Sequence, residues 1–284
     1  MRFGNCVSHK DTESIKVLKY AGFDYVETGL SSLYAAEQSE ITDFISALKE
    51  NNIRCEAVNV LFPVGIALTG ENPDWIKASD YVSEVFEKTK AVGFTRVVFG
   101  SGGARKCPDG FPKEKAVEQI IQVINNYLIP AAEKYDFIIA IEELNRGETN
   151  TINTLEEAEY IACQVNHPRI KILADLYHIG LEKTDLSVLA NLTKKNLIAH
   201  CHIANPYNKR FYPNADDSDE AFDLYKAFFN SLKSGGYNER ISIEGALGGF
   251  ADNINIIDIP DWVSENYKKF YIESKKSLEF MKSL

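Results

Sequence analysis

The stretch Phe137-Ile-Ile-Ala-Ile-Glu-Glu-Leu-Asn-Arg-Gly-Glu148 begins with five apolar residues and changes abruptly to polar ones at Glu142. This pattern predicts a short buried strand whose last residue directs a carboxylate into a cavity. Three later segments repeat it: Ile172–Asp175 ends in an aspartate, Leu197–His202 in a histidine and Ile241–Glu244 in a glutamate. Buried strands with ionisable ends therefore organise the second half of the chain.

The four polar ends, Glu142, Asp175, His202 and Glu244, are separated by 33, 27 and 42 residues. A strand, a helix and two loops need roughly 30 residues, so these ends are expected on successive parallel strands, at one rim of a sheet. The same alternation runs through the whole chain and gives eight strands and eight helices. We therefore predict an α/β fold, a single (β/α)8 TIM barrel over residues 1–284, rather than an open Rossmann-type sheet.

The boundaries of the elements follow from apolar periodicity and from turn residues. The predicted strands cover residues 2–7, 25–29, 53–59, 96–103 (running into a glycine-rich turn), 137–142, 172–175, 197–202 and 240–244. The predicted helices cover residues 11–19, 41–48, 75–91, 114–134, 154–162, 185–195, 220–232 and 261–282.

The composition is that of an ordinary soluble globular protein, with 45% hydrophobic and 25% charged residues. A formal net charge of −10 argues against a nucleic-acid surface, which needs Lys and Arg to neutralise phosphates. Five scattered cysteines without a CxxC pair indicate reduced thiols. The amino terminus lacks a signal-peptide core, and no run reaches the ~20 apolar residues of a membrane span. We therefore predict a cytoplasmic protein without nucleic-acid or membrane partners.

Alternate residues of a barrel strand point inward, which gives a consistency test for the four charged ends. If those ends face the cavity, the residues two positions earlier on three of the strands, Ala140, His200 and Ser242, face it as well. The β-branched residues Ile141 and Ile243 then point outward to the helices. On all three strands, the orientation that points the charged end into the cavity therefore also points small or polar residues inward.

Three carboxylates and a histidine at one rim would repel one another strongly unless a cation lay among them. Glu142, Asp175, His202 and Glu244 offer one nitrogen and three oxygens, which suits one divalent ion, best Mn²⁺, with Mg²⁺, Co²⁺ and Zn²⁺ as alternatives. The competing interpretation is that each rim residue forms its own salt bridge. His178 lies three residues after Asp175, where it can reach the same cavity and donate to a substrate oxygen.

Two loops leave both a functional and a structural interpretation open. The turn Gly100-Ser-Gly-Gly-Ala-Arg105 follows a strand, so its backbone N–H groups, assisted by Arg105 and Lys106, suit an anion, although a simple flexible turn fits equally well. The apolar loop over residues 61–70 either covers a ligand or packs on the barrel rim.

The ordered motifs E-E-L-N-R-G-E, D-L-Y-H, H-C-H, R-F-Y-P and S-I-E-G resemble those of the sugar isomerase/epimerase superfamily with the xylose isomerase-like barrel. Among its branches the chain is most similar to the ketose 3-epimerases of the D-tagatose and D-psicose type. One departure is Glu143, which stands where relatives usually have an apolar residue or proline. The resemblance implies metal ligands at Glu142, Asp175, His202 and Glu244, and substrate contacts at Glu148, His178 and Arg210.

The resemblance also implies an activity, namely metal-dependent epimerisation or isomerisation of a ketose or ketose phosphate through an enediolate. Glu142 and Glu244 would form the acid–base pair, each exchanging a proton with the same carbon from opposite faces. His178 and Arg210 would hold the developing enolate oxygen. The partner would be a small-molecule sugar, and the oligomeric state, including a homo-oligomer, stays open.

Several other activities are compatible with the same motifs. An aldose–ketose or hydroxypyruvate isomerase and an inosose dehydratase-like lyase would use the same metal and base. Abasic-site DNA endonucleases share the barrel but need further histidines on early strands, and residues 23–100 contain none. A non-catalytic sugar-binding protein is the remaining alternative.

Overall fold

Eight parallel strands form a closed barrel at the centre of the structure, a computed structural model that describes residues 1–207, 209–210, 219–245 and 259–284. The strands follow one another around the barrel in chain order, and the last pairs with the first. They are β1 (Arg2–Cys6), β2 (Tyr25–Gly29), β3 (Arg54–Asn59), β4 (Arg96–Phe99), β5 (Ile138–Glu142), β6 (Ile170–Asp175), β7 (Ile198–Ile203) and β8 (Arg240–Ile243). The predicted (β/α)8 TIM barrel is confirmed.

Helices in the described part of the chain separate the strands and cover the barrel. They are α1 (Thr12–Ala21), α2 (Leu30–Ala35), α3 (Gln38–Glu50), α4 (Trp75–Thr89), α5 (Lys113–Val123), α6 (Ile129–Tyr135), α7 (Leu155–Val165), α8 (Leu176–Glu182), α9 (Leu186–Lys194), α10 (Asp219–Ser234) and α11 (Glu265–Ser283). None of these helices is both long enough and apolar enough to span a membrane.

The long helix predicted over residues 114–134 is present as α5 and α6, joined by a π-helical turn at Ile124–Leu128. Pro130 lies in the first turn of α6. A proline has no N–H to donate and its ring clashes with the carbonyl four residues earlier, so a regular α-helix tolerates it poorly. The wider π turn immediately before Pro130 relieves this conflict and lets the helix continue.

Two short helices, α2 and α8, were not predicted, and both follow a strand without an intervening loop. Asp175 ends β6 and also caps α8, since its Oδ1 accepts the backbone N–H of Tyr177 at 2.7 Å. Gly180 makes this segment resemble a loop in the sequence. In the structure Gly180 lies within α8 and packs closely against Pro206, since a Cβ at this position would lie 2.6 Å from that residue.

The two faces of the strands pack into different environments. Outward-facing residues such as Ile141 and Ile243 are fully buried in the large apolar core between barrel and helices. Inside the barrel a separate small cluster consists of Val98, Ala140 and Leu173. The predicted alternation of inward and outward residues is therefore confirmed for β5.

Candidate metal and active site

Four ionisable side chains meet at the carboxyl end of the barrel. Glu142, Asp175, His202 and Glu244 each offer one ligand atom, and these atoms all lie within 4.8 Å of one another. The Nδ1 atom of His202 is 3.1 Å from Glu142 Oε1 and 3.1 Å from Glu244 Oε2. Glu142 and Asp175 end β5 and β6, His202 is the second-last residue of β7, and Glu244 directly follows β8. The structure thus brings together the four residues that the strand spacing placed at one rim.

The ionisable groups at this end of the barrel alter one another's pKa values. Burial raises the pKa of Glu142 and that of Asp175. The neighbouring carboxylates of Glu27 and Glu244 raise the pKa of His202 well above its usual value, against the opposing effect of burial. His202 in turn lowers the pKa of Glu244, although burial acts the other way. A cation among these groups would satisfy the same buried negative charge.

The alternative, in which each rim carboxylate has its own lysine or arginine, does not fit the structure. Within the described residues the salt-bridge partners of these carboxylates are histidines: His202 for Glu142 and Glu244, and His178 for Asp175 at 3.5 Å. The donor set therefore retains the one-nitrogen, three-oxygen composition that a divalent ion prefers.

A fifth ionisable residue, Glu27 on β2, lies directly behind His202; the sequence indicated a polar environment for Glu27 but did not assign it to the site. Its Oε1 is 2.9 Å from His202 Nε2, and its Oε2 is 2.8 Å from His200 Nε2 and 2.6 Å from Ser242 Oγ. Tyr25 adds a hydrogen bond to Ser242 at 2.8 Å. The two histidines lower the pKa of Glu27 although burial opposes them. The signal available in the sequence was a single carboxylate in the middle of the short strand Tyr25–Gly29.

Two further residues shape the cluster. The Nδ2 group of Asn59, the last residue of β3, donates to Glu244 Oε1 at 3.0 Å. Gly100 directly follows β4 and lies against Glu142, since a Cβ built on Gly100 would be 2.1 Å from Glu142 Oε2. The absence of a side chain at Gly100 is therefore what allows Glu142 to reach the cluster.

The glycine-rich turn carries Arg105, whose side chain is buried in the protein. Arg105 is fully buried, and it donates to the carbonyl of Phe99 at 3.1 Å and to that of Glu142 at 2.7 Å. Burial lowers the pKa of Arg105 to about 10. Two of the Arg105 donors, Nη1 and Nη2, thus hold the ends of β4 and β5, which favours a structural role for this side chain.

The apolar loop over residues 61–70 packs on this same turn. The backbone N–H of Phe62 donates to Ser101 Oγ at 2.9 Å, and that of Leu68 donates to the carbonyl of Ala104 at 2.8 Å. Leu61, Phe62 and Leu68 are buried, whereas Val64 at the tip is fully exposed. Most of the loop therefore follows the packing interpretation.

The unusual Glu143 also supports the site. Burial raises its pKa well above the usual range, and its Oε1 accepts the backbone N–H of Asp175 at 2.9 Å. The carboxyl group thereby connects the end of β5 to the end of β6. An apolar residue or proline at this position could not accept that hydrogen bond.

His178 faces the cluster in a defined tautomer. Its Nδ1 accepts the backbone N–H of Asn145 at 3.1 Å, so the proton of a neutral ring lies on Nε2, which is 3.5 Å from Asp175 Oδ2. Glu148 is exposed and lies farther out, where its Oε1 accepts from Asn145 Nδ2 at 3.2 Å. Asn145 therefore connects two of the residues for which the motifs implied substrate contact.

Arg210 is half-buried near the last rim glutamate. Its carbonyl accepts the N–H of Asn205 at 3.0 Å, and a Cβ on Gly245 would lie 2.9 Å from that carbonyl. This places the backbone of Arg210 beside the residue that follows Glu244. The remainder of the R-F-Y-P motif, residues 211–213, lies outside the described residues.

Comparisons with known proteins agree with this geometry. The chain is 27% identical over 255 residues to 3-dehydro-D-guloside 4-epimerase of Escherichia coli (strain K12), a match that covers 83% of this chain and 87% of the relative. It is 26% identical over 246 residues to L-ribulose 3-epimerase of Methylomonas sp. (strain DH-1), covering 82% and 77%. The solved D-psicose 3-epimerase of Clostridium cellulolyticum H10 with D-tagatose has a TM-score of 0.77 at 18% identity, over 100% of this chain and 99% of that one.

The family match covers most of the chain. Residues 15–264 match the family described as Xylose isomerase-like TIM barrel, a range that includes all four clustered rim residues. The closed order of the strands, β1 to β8, agrees with a barrel of this type. On both grounds the chain belongs to the xylose isomerase-like TIM barrel family.

Proposed function

We propose that this chain is a divalent-metal-dependent epimerase that inverts a carbon next to the carbonyl of a ketose or ketose phosphate. The observation that carries the proposal is the rim cluster, in which Glu142 and Glu244 each lie 3.1 Å from His202 Nδ1. The relatives found by sequence are sugar epimerases, so the chain is an enzyme of the isomerase class. Their substrates support a keto sugar here.

The residues that would hold the ion are Glu142, Asp175, His202 and Glu244. Their ligand atoms all lie within 4.8 Å of one another, so the four side chains are close enough to share one ion. The mixed set favours Mn²⁺, and Mg²⁺, Co²⁺ and Zn²⁺ are the alternatives. When bound, such an ion supplies positive charge that stabilises an enediolate.

Glu142 and Glu244 act as the acid–base pair. They come from β5 and from the end of β8, which β6 and β7 separate around the barrel, so the two carboxylates reach a central substrate from different sides. One carboxylate removes the proton next to the carbonyl, and the electron pair moves onto the carbonyl oxygen. The other carboxyl group returns a proton to the opposite face of the same carbon, which inverts it.

The remaining motif residues bind the sugar. His178 presents its Nε2–H toward the cluster because Asn145 occupies Nδ1, so the ring can donate to an oxygen of the substrate. Arg210 is assigned to the same developing negative charge. Exposed Glu148 accepts hydroxyl hydrogen bonds farther from the reacting carbon. In this scheme the outer residues orient the sugar, and Glu142 and Glu244 transfer the protons.

The proposal is tested with Glu142→Gln and Glu244→Gln. A glutamine keeps the size and hydrogen-bonding shape but cannot take up a proton, so turnover should fall by roughly 10²–10⁴-fold in each variant while thermal unfolding stays cooperative. Exposed Glu71→Gln is the matched control. Near wild-type turnover in either site variant would remove the two-base scheme.

Deuterium incorporation separates the competing reactions. The enzyme is incubated in D₂O with Mn²⁺ and a panel of ketoses, ketose phosphates, a 3-keto glycoside, aldoses and inososes. An epimerase places deuterium on the inverted carbon and leaves the carbonyl in place. A carbonyl that moves to another carbon would indicate an isomerase, and release of water would indicate a dehydratase. If no sugar exchanged deuterium, the chain would be a binding protein. Each of these results would contradict the proposal.

A further inference from the structure

We infer that Glu27 is a positioning residue that sets the tautomer and the orientation of His202, and so prepares its Nδ1 as a ligand. The inference rests on the proposed metal site and extends it to a residue that hydrogen-bonds to one of the four proposed ligands, His202. Glu27 is fully buried inside the barrel, and its Oε1 is 2.9 Å from His202 Nε2.

The tautomer follows from the chemistry of the acceptor. An ionised carboxylate has no proton to donate, so the short contact to Glu27 requires the hydrogen to be on His202 Nε2. The lone pair of the neutral ring then lies on Nδ1, which faces Glu142 and Glu244 at 3.1 Å each. Without an acceptor behind it, the ring would be free to carry its proton on Nδ1, where a proton excludes a metal ion.

The orientation follows from how the carboxylate itself is held. Its Oε2 accepts from Ser242 Oγ at 2.6 Å and from His200 Nε2 at 2.8 Å, and Ser242 in turn accepts from Tyr25 at 2.8 Å. Two hydrogen bonds on one oxygen prevent the carboxylate from turning. The other oxygen, Oε1, is therefore left at a fixed position with His202 as its partner.

His200 thus supports the site from one layer below. Its ring is nearly perpendicular to that of His202, with centroids 5.0 Å apart, and its Nδ1 is 3.2 Å from the carbonyl of Arg240. The two histidines share one carboxylate but use different oxygens, Oε1 and Oε2. Only His202 reaches the rim cluster. His200, two positions earlier on β7, serves the site through its hydrogen bond to Glu27.

The experiment compares Mn²⁺ binding by the wild-type protein, Glu27→Gln and Ser242→Ala, using titration calorimetry. Loss of such an outer partner typically weakens metal binding by roughly 10–100-fold, and we expect a fall in this range for Glu27→Gln and a smaller one for Ser242→Ala. Thr28→Val is the control, since Thr28 is the next residue of β2, is buried, and forms no hydrogen bond through Oγ1 with the described residues.

A second readout follows the tautomer directly. In the Zn²⁺-loaded protein, long-range ¹H–¹⁵N NMR of the imidazoles should show the His202 proton on Nε2 in the wild type and in Thr28→Val. In Glu27→Gln the amide is neutral, so the Nε2–H signal should shift or exchange faster. Should Glu27→Gln fail to fold, Ser242→Ala decides the inference by the same two measurements.

The outcomes separate this inference from the proposed function. Absence of Mn²⁺ binding in the wild type would overturn both. Wild-type binding with unchanged affinity and an unchanged imidazole spectrum in the folded variants would overturn the role of Glu27 alone and leave the metal site intact.

Discussion

Gly100 offers a sharp test of how the barrel positions Glu142. A Cβ at this residue would lie 2.1 Å from Glu142 Oε2 and 3.3 Å from its Cδ, so Gly100→Ala places a methyl group where the carboxylate now is. The backbone of Gly100 is not in the left-handed region, and alanine can adopt it without strain. The substitution therefore acts on the carboxylate rather than on the fold.

The size of the effect can be worked out from the distances. Ordinary van der Waals contact begins near 3.4 Å, so the carboxylate oxygen must move by roughly 1.3 Å. Misplacement of a reacting group by about 1 Å can lower a rate by roughly 10²-fold. We therefore expect kcat/KM to fall by about two orders of magnitude.

The assay measures kcat/KM at saturating Mn²⁺ on the sugar identified by deuterium exchange, with circular dichroism to follow unfolding. Gly103→Ala is the matched control, because Gly103 lies in the same turn and an added Cβ would meet no atom of the described residues within 4 Å. If Gly100→Ala keeps activity within about threefold of Gly103→Ala, Glu142 tolerates displacement and the reasoning fails. A crystal structure of the variant with Glu142 unmoved would contradict it as directly.

Two further predictions concern stability and metal dependence. Arg105→Met leaves the buried carbonyls of Phe99 and Glu142 without their donor, which should lower the free energy of unfolding by roughly 2–4 kcal/mol; urea unfolding with a loss below about 1 kcal/mol would speak against it. Removing metal with a chelator should abolish activity, and added Mn²⁺ should restore it. Mn²⁺ at 100 times its Kd should also raise the free energy of unfolding by about 2.7 kcal/mol. Activity that survives chelation, in protein shown to be metal-free, would refute the metal requirement.

The parts of the structure that the sequence predicts are those with a local signal. Apolar runs of three to five residues that lead into Glu142, Asp175 or the segment His200–His202 indicate buried strands with polar ends, and regular spacing indicates a common rim. Both features depend only on the repeating β/α unit. For that reason the barrel and the convergence of its charged ends could be predicted without any knowledge of packing between distant strands.

The parts that escaped prediction depend on contacts across the barrel. Glu27 hydrogen-bonds to His202 and to Ser242, which are 175 and 215 positions away in the sequence. No local pattern on β2 indicates those partners. Gly100 looks like one of several turn glycines until the position of Glu142 is known. Arg105, in a polar turn, looks solvent-exposed, whereas the structure buries it against two strand-end carbonyls.

Asp175 belongs to the rim cluster and to the first turn of α8 at the same time. One oxygen receives the N–H of Tyr177, while the other lies on the side of His178, itself on α8. A shift of this carboxylate toward a bound ion would therefore act directly on the first turn of the seven-residue helix that carries His178. Binding of an ion at the rim and the placement of His178, the imidazole proposed to bind the sugar, would in this way be linked through a single side chain.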